Sequence, residues 1–188
     1  MFYTISPILD LHNYERLKTN MSAISPVNVS IKLFTRKEMY RLIHIEQDTN
    51  PWCLKDFDRF TRKKNSMVVV AMDDETAIGY MIVETLKDSY SLVKMAVKED
   101  MRRMGIGSKL INYLTTQLVA TKRHRIFTEI RESNLTGQLF LRSCRFRYID
   151  TSYNQFQDTG EDSYHLEYRP TWPEKIIEND KKGYYAKV

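Results

Sequence analysis

The feature that most constrains this sequence is a series of three short strand-like runs that leads into a single glycine-bearing helix start. β-branched and other apolar side chains fill residues 66–72, 77–84 and 91–97, and turn residues separate the first two runs. The apolar residues then recur every four positions, as on one face of a helix, at Ile106, Leu110, Leu114 and Leu118. The sequence therefore predicts an antiparallel meander followed by an amphipathic helix.

Further predicted elements lie on both sides of this centre. A strand over 27–33, a helix from a capping box at 35–38 to about Gln47, and a short helix over 54–62 come before it. A strand over 126–131, a helix over 135–143, and strands over 146–151 and 164–168 come after it. This order predicts one α/β or α+β domain with a central mixed sheet.

The length and composition indicate a single domain with short appendages. The chain has 188 residues, 42% of them hydrophobic, which is enough to form one buried core. Residues 1–26 show no sustained apolar period, so we expect an N-terminal extension there, a domain over 27–169 and a tail over 170–188. No apolar run approaches the roughly 20 residues of a spanning helix, and the N-terminus lacks a basic segment followed by an apolar stretch. We therefore expect a cytoplasmic protein without a membrane partner.

Charge and cysteine content narrow the classes of partner. The 29 Lys and Arg residues exceed the 24 Asp and Glu residues, and the net charge of +5 favours an anionic partner. Most basic residues lie in short runs typical of solvated helix ends and turns, so we expect no direct nucleic-acid binding. Cys53 and Cys144 lie far apart, and the histidines show no ligand spacing around them. We expect two free thiols and no metal site.

One basic pair, Arg102 and Arg103, lies within a motif. It opens the segment 102–108 (Arg-Arg-Met-Gly-Ile-Gly-Ser), which joins the third strand-like run to a helix that begins near Gly107. Unpaired N–H groups and the dipole at a helix start favour phosphate, and Gly105 and Gly107 let the backbone approach a ligand without a Cβ between them. The segment matches neither a Walker A loop nor a dinucleotide fingerprint. It predicts a pyrophosphate site; the alternative is a glycine-bearing helix start with a solvated arginine pair.

Three motifs follow one another in a characteristic order. They are residues 93–97 (Val-Lys-Met-Ala-Val), the Gly-Ile-Gly of residues 105–107 before an amphipathic helix, and residues 128–134 (Thr-Glu-Ile-Arg-Glu-Ser-Asn). This order resembles that of the GNAT N-acetyltransferases. Within that superfamily the sequence is similar to the RimI-type ribosomal-protein-alanine N-acetyltransferases, through residues 45–47 (Ile-Glu-Gln), 50–52 (Asn-Pro-Trp), 102–107, 129–134 and 158–168. The resemblance covers about residues 29–169 and implies a mostly antiparallel sheet, splayed at an acetyl-CoA site and flanked by about four helices.

The resemblance also implies which residues hold acetyl-CoA. Backbone groups of Met95, Ala96 and Val97 would bind the pantetheine arm like a short extra strand. The pyrophosphate would be held by Arg102, Arg103, Met104, Gly105, Ile106, Gly107 and Ser108. Asn134 would help to position the pantetheine. Met95 and Val97 are equally plain strand core residues, and Asn134 is also a good helix N-cap.

For the chemistry, the resemblance implies that Glu129 is the general base, which removes a proton from the acceptor amine directly or through water. About a tenth of free α-amines, but well under a thousandth of lysine amines, are neutral at pH 7, so an N-terminal α-amine is the easier acceptor. A backbone N–H at the end of the third strand-like run would stabilise the oxyanion. The structural alternative for Glu129 is a strand-edge carboxylate paired with Arg131 or Arg125.

Three positions depart from the pattern of the resembling enzymes. Leu141 stands where they have a tyrosine general acid, Arg145 where a glycine usually follows the last helix, and Gln155-Phe156 where a Tyr-Tyr pair lies near the substrate mouth. Leucine cannot donate a proton, but a thiol with a pKa of about 8.5 leaves as thiolate with a modest penalty. Arginine in a left-handed helix end is disfavoured by about 1 kcal/mol.

We expect an acetyl-CoA-dependent N-acetyltransferase that acts on the N-terminal α-amine of a protein, with a ribosomal protein as the acceptor that the resemblance favours. Two alternatives stay open at this point. One is a lysine or small-amine acetyltransferase. The other is a catalytically weakened module that binds acetyl-CoA or associates with the ribosome.

Overall fold

The computed structural model describes residues 28–34, 39–45 and 52–171. Seven strands occur in this part of the chain: β1 (Val29–Leu33), β2 (Ser66–Asp73), β3 (Thr76–Thr85), β4 (Ser89–Val97), β5 (Arg125–Arg131), β6 (Arg147–Phe156) and β7 (Glu161–Tyr168). The same part contains four α-helices: α1 (Met39–Ile43), α2 (Leu54–Thr61), α3 (Ile106–Ala120) and α4 (Leu135–Ser143).

All seven strands form one sheet in the order β1-β2-β3-β4-β5-β7-β6. Each neighbouring pair is antiparallel except β4 and β5, which run parallel. A parallel pair requires a crossover connection, and α3 supplies it. This arrangement confirms the predicted mixed, mostly antiparallel sheet.

Helices cover the sheet on both faces. On one face, Leu110 and Leu114 of α3 are fully buried against β2 to β5. On the other face, Leu42 next to β2 and β3 and Phe57 of α2 are fully buried as well. Because both faces are covered, residues 77–83 of β3 form a continuous buried run rather than an alternating one.

Element boundaries agree with the sequence where apolar periodicity is strong and differ where it is weak. The predicted helices over 54–62 and 135–143 are confirmed to within one residue. The predicted strands over 146–151 and 164–168 are longer, because β6 reaches Phe156 and β7 begins at Glu161. β6 is an edge strand in which every residue is exposed or half-buried, and it is held by pairing with β7 rather than by burial. An apolar pattern therefore cannot reveal its end.

Several predicted features lie outside the described residues. They are the extension over 1–26, the capping box over 35–38, residues 46–51 and the tail from residue 172 onward. The predicted helix that continues to about Gln47 is described only as α1, which ends at Ile43. The predicted domain boundaries at 27 and 169 stay predictions. Of the helices that are described, none is both long enough and apolar enough to cross a membrane.

The end of α4 carries backbone strain at Arg145. Its φ angle is +70°, in the left-handed region that favours glycine. The N–H of Phe146 donates to the carbonyl of Leu141 at 3.0 Å, which closes the helix end. The left-handed conformation expected at this non-glycine position is confirmed.

We expect Arg145→Gly to raise the free energy of unfolding by about 1 kcal/mol, because glycine adopts this φ angle without a Cβ clash. The melting temperature should rise by about 2 to 4 °C, as measured by thermal unfolding. Arg145→Ala is the matched control, since it removes the charge and keeps the strained backbone. An alanine variant as stable as the glycine variant would assign the effect to the charge instead.

Candidate functional site

The site lies where β4 and β5 separate. Their parallel pairing covers only residues 89–91 and 125–127. Just beyond it, the Thr128 hydroxyl donates to the Leu92 carbonyl at 2.7 Å, so a side chain bridges the two strands where the backbone ladder ends. The following residues of β4 therefore present a backbone edge toward β5 that the β4–β5 ladder does not use.

A bulge in β4 lies at the same level. Ile82 of β3 pairs with Lys94 and Val83 pairs with Leu92, which leaves Val93 as an extra residue in β4. Bulges bend a strand and increase its twist, and they are frequent next to active sites. Here the bulge bends β4 at the position where it separates from β5.

The predicted pantetheine residues form the end of β4. Met95 and Val97 pack partly against the core beneath α3, and Ala96 is buried in the core on the opposite face. The strand-core interpretation of these side chains is confirmed. What the three residues offer toward β5 is their backbone.

The N-terminus of α3 lies beside this strand end. A Cβ on Gly79 of β3 would be 3.2 Å from both the Ala96 carbonyl oxygen and Cγ2 of Ile106, so the first turn of α3 contacts the β3–β4 pair directly. The first hydrogen bond within the helix runs from the Lys109 N–H to the Gly105 carbonyl at 3.0 Å. The preceding N–H groups, of residues 106–108, have no acceptor within the helix.

The two glycines of the predicted phosphate loop have different physical roles. Gly105 has a φ angle of +78°, and a Cβ there would meet nothing within 4 Å, so the backbone conformation alone requires glycine. A Cβ on Gly107 would lie 3.0 Å from Cζ of Phe140. Gly107 therefore lets α4 pack closely against the first turn of α3, a packing reason that the sequence did not reveal.

The arginine pair flanks this helix start. Arg102 and Arg103 are both exposed. Nε of Arg102 donates to the Val97 carbonyl at 3.1 Å, which links the loop to the end of β4. Two guanidinium groups thus lie next to the N-terminus of α3, and they add positive charge to a helix end that already favours anions.

Asn134 caps α4. Its side-chain oxygen accepts a hydrogen bond from the Gly137 N–H at 2.9 Å, and the N-cap interpretation is confirmed. The side-chain amide nitrogen keeps its own donor capacity. The role of Asn134 toward a ligand stays a prediction.

Glu129 lies on the face of β5 opposite α3. Ile126, Thr128 and Ile130 are buried toward α3, and alternation along the strand turns Glu129 to the other face, where its side chain is 49% exposed. Oε1 of Glu129 is 4.0 Å from Nδ1 of His165, its cross-strand neighbour on β7. Glu129 is therefore an accessible carboxylate next to the open end of the β4–β5 pair.

Arg131, two residues further along β5, is engaged elsewhere. Its guanidinium donates to both carboxylate oxygens of Asp158, at 2.8 and 3.0 Å, and to Glu161 at 2.9 Å. Hydrogen bonds from Ser133, Thr159 and Arg131 lower the pKa of Glu161 to about 2. Arg131 therefore does not form the ion pair with Glu129 that the structural alternative proposed.

This arginine also fixes Phe156, one of the residues that depart from the RimI-like pattern. The guanidinium carbon of Arg131 lies 3.9 Å from the centroid of the Phe156 ring, which is a close cation–π contact. The turn between β6 and β7 is thereby held against the end of β5. At another of the three departing positions, Leu141 is 5% exposed and packs in the core beneath α3.

Sequence reasoning missed two polar residues beside Glu129. Nε2 of His165 is 2.8 Å from Oγ of Ser152 on β6, so Glu129, His165 and Ser152 form a row across three strands. Alternation in the 164–168 run could have placed His165 on the face opposite Leu166. The register that brings it to Glu129 depends on strand pairing, which no local pattern reports.

Two comparisons of sequence identify relatives. The sequence profile of the acetyltransferase (GNAT) family matches residues 36–146. A [ribosomal protein bS18]-alanine N-acetyltransferase from Haemophilus ducreyi is 26% identical over 128 residues, which cover 67% of this chain and 88% of that protein.

Solved structures share the fold. The ribosomal-protein-S18-alanine N-acetyltransferase from Escherichia coli superposes with a TM-score of 0.69 at 21% identity, covering 77% of this chain and 96% of that one. A GNAT family acetyltransferase from Elizabethkingia anophelis with acetyl-CoA bound gives a TM-score of 0.62 at 19% identity, covering 76% of this chain and 98% of that one. Since the family profile spans more than half of the sequence, and the splayed seven-stranded sheet agrees with it, the chain belongs to the GNAT family of N-acetyltransferases.

Proposed function

We propose that this enzyme transfers an acetyl group from acetyl-CoA to the N-terminal α-amine of a protein, with an alanine at the N-terminus of a ribosomal protein as the acceptor. The observation that carries the proposal is the separation of β4 and β5 beside the N-terminus of α3, with the exposed carboxylate of Glu129 at its edge. The Haemophilus ducreyi relative, named for its action on alanine of bS18, supports this choice of acceptor.

The residues around the separation fit acetyl-CoA. The N–H groups of residues 106–108 and the guanidinium groups of Arg102 and Arg103 suit a pyrophosphate. The backbone edge of residues 95–97 suits the amide-bearing pantetheine arm, and the side-chain amide of Asn134 is a further donor. When bound, acetyl-CoA supplies an acetyl group activated as a thioester.

Glu129 is the proposed general base. An ammonium group cannot attack a thioester until it loses a proton, and a carboxylate accepts that proton directly or through one water molecule. A side chain that is about half exposed is reachable by an acceptor as large as a protein N-terminus. A backbone N–H of residues 95–97 stabilises the negative charge that develops on the thioester oxygen.

A lysine or small-amine acceptor is the second candidate. The observation that favours it is Phe156, which is held over Arg131 and replaces one tyrosine of the pair expected at the substrate mouth. Peptides that carry either a free N-terminal alanine or an internal lysine behind a blocked N-terminus separate the two candidates. The cytoplasmic location expected from the sequence stays a prediction.

The Glu129→Gln variant tests the proposed function directly. We expect kcat to fall by about 10²-fold or more while the affinity for acetyl-CoA is retained, because the amide keeps the shape and loses the basicity. In cells that lack the protein, mass spectrometry should find unacetylated N-termini that the parent restores and Glu129→Gln does not. An unchanged kcat and pH–rate profile would make Glu129 merely structural, and no change in N-termini would remove the proposed acceptor.

The phosphate loop is tested at Gly105. Gly105→Asp and Gly105→Asn strain the backbone to a similar degree, since Asp and Asn are the side chains that best tolerate a positive φ. We expect the aspartate variant alone to lose most of its acetyl-CoA affinity in calorimetry, because its charge repels the pyrophosphate. Gly160→Asp is the control, since Gly160 has a φ angle of +72° and equally open space in the β6–β7 turn. Equal affinities for the two Gly105 variants would contradict a pyrophosphate there.

The missing proton donor is tested at Leu141. Leu141→Tyr and Leu141→Phe add similar bulk to a buried position, and overpacking should lower the stability of both by about 1–3 kcal/mol. We expect only the tyrosine variant to raise kcat on a peptide with N-terminal alanine, because its hydroxyl protonates the departing thiolate. If the two folded variants have equal kcat, a missing acid does not limit the parent enzyme.

A further inference from the structure

The row formed by Glu129, His165 and Ser152 crosses β5, β7 and β6 on the face that is opposite α3. Glu129 is the member nearest the separation of β4 and β5, and Ser152 lies on the outer strand. The imidazole of His165 occupies the middle, with Nδ1 4.0 Å from Glu129 and Nε2 2.8 Å from the hydroxyl of Ser152. Each ring nitrogen therefore faces an oxygen.

This geometry suits an imidazole that gains and loses a proton. When both nitrogens carry a proton, the carboxylate of Glu129 and the oxygen of Ser152 are acceptors on opposite sides of the ring. When Nδ1 is deprotonated, Nε2 keeps its hydrogen bond to Ser152, so the ring holds its orientation in both states. The side chain of His165 is 26% exposed, which gives it a route to solvent.

Several other charged groups of the three strands bind partners other than His165. On β5, Arg131 binds Asp158 and Glu161. On β7, the buried carboxylate of Glu167 pairs with Arg169 at 2.5 Å. Asp150 of β6 is the register partner of His165, and its Oδ1 accepts the N–H of Thr151. Among the residues that the structure describes, Glu129 is the carboxylate within ion-pair distance of the imidazole.

We propose that His165 is a positioning residue that orients Glu129 and takes up the proton that Glu129 removes from the acceptor amine, an inference that rests on the proposed function. The acceptor ammonium gives one proton to the Glu129 carboxylate, and the freed lone pair forms the C–N bond with the thioester carbon. The C–S bond then breaks, and the second proton that the nitrogen loses passes to the departing thiolate. The proton on Glu129 passes to Nδ1 of His165 when rotation of the two side chains brings Oε1 and Nδ1 from 4.0 Å to hydrogen-bond distance, and the imidazolium releases it to solvent. Glu129 is then ionised again for the next acceptor.

The test is chemical rescue of His165→Ala. With a peptide acceptor bearing N-terminal alanine, we expect the single-turnover rate to fall about tenfold or more while acetyl-CoA affinity is unchanged. Added imidazoles of increasing basicity should restore the rate progressively, because rescue by a proton acceptor depends on its basicity, whereas rescue by a molecule that only fills space does not.

Ser152→Ala should lower the rate less than His165→Ala does. If His165→Ala folds poorly, His165→Gln replaces it in the test, with the same expected loss of rate. His124→Ala, an exposed histidine in the turn before β5, is the matched control.

The outcomes separate the two proposals. Suppose that the parent enzyme acetylates the peptide. If His165→Ala is then as fast as the parent, or if its rescue does not depend on the basicity of the added imidazole, the role of His165 is overturned and the proposed function stands. A parent enzyme that acetylates no N-terminal peptide overturns the proposed function, and the role of His165 falls with it.

Discussion

The separation of β4 and β5 is the constraint on which the rest of the structure depends. Parallel strands gain their stability from a continuous ladder, and here the ladder ends after three residue pairs. Backbone groups in the gap still need partners, because an unpaired buried carbonyl or N–H is costly. The Thr128 hydroxyl supplies one for the Leu92 carbonyl, and Arg102 supplies another for Val97. What remains open is a strand edge that a ligand with amide groups can complete.

Packing on both faces keeps this separation in place. β3 and β4 lie between the core beneath α3 and the core beneath α2, so neither strand can shift to close the gap without disturbing both. The close contacts of Gly79 with Ile106 and of Gly107 with Phe140 bring the N-terminus of α3 to the open end of the gap. A helix end whose dipole favours anions and a strand edge that the β4–β5 ladder does not use thus meet because small residues let the elements approach.

At the end of β5, Arg131 determines which charged groups are available next to Glu129. By binding Asp158 and Glu161 it joins the β6–β7 turn to β5, and by stacking on Phe156 it restrains that ring beside the end of β5. Hydrogen bonds from Ser133, Thr159 and Arg131 keep the carboxyl of Glu161 ionised far into the acid range, with a pKa of about 2. Because Arg131 is committed to these partners, Glu129 is left beside His165 on the same face of the sheet.

The sequence by itself determined the elements whose pattern is local. Apolar periodicity predicted α3 and α4, β-branched runs predicted β2 to β4, and the glycines of residues 105–107 predicted a helix start suited to phosphate. It also identified the N-cap at Asn134, which follows from neighbours along the chain, whereas the left-handed backbone at Arg145 was expected from the resemblance to a family that has glycine there. Tertiary structure alone decided how far β6 extends, the packing role of Gly107 and the row from Glu129 to Ser152. These depend on register and on contacts between segments distant in sequence, and a shift of one residue in strand pairing would turn His165 away from Glu129.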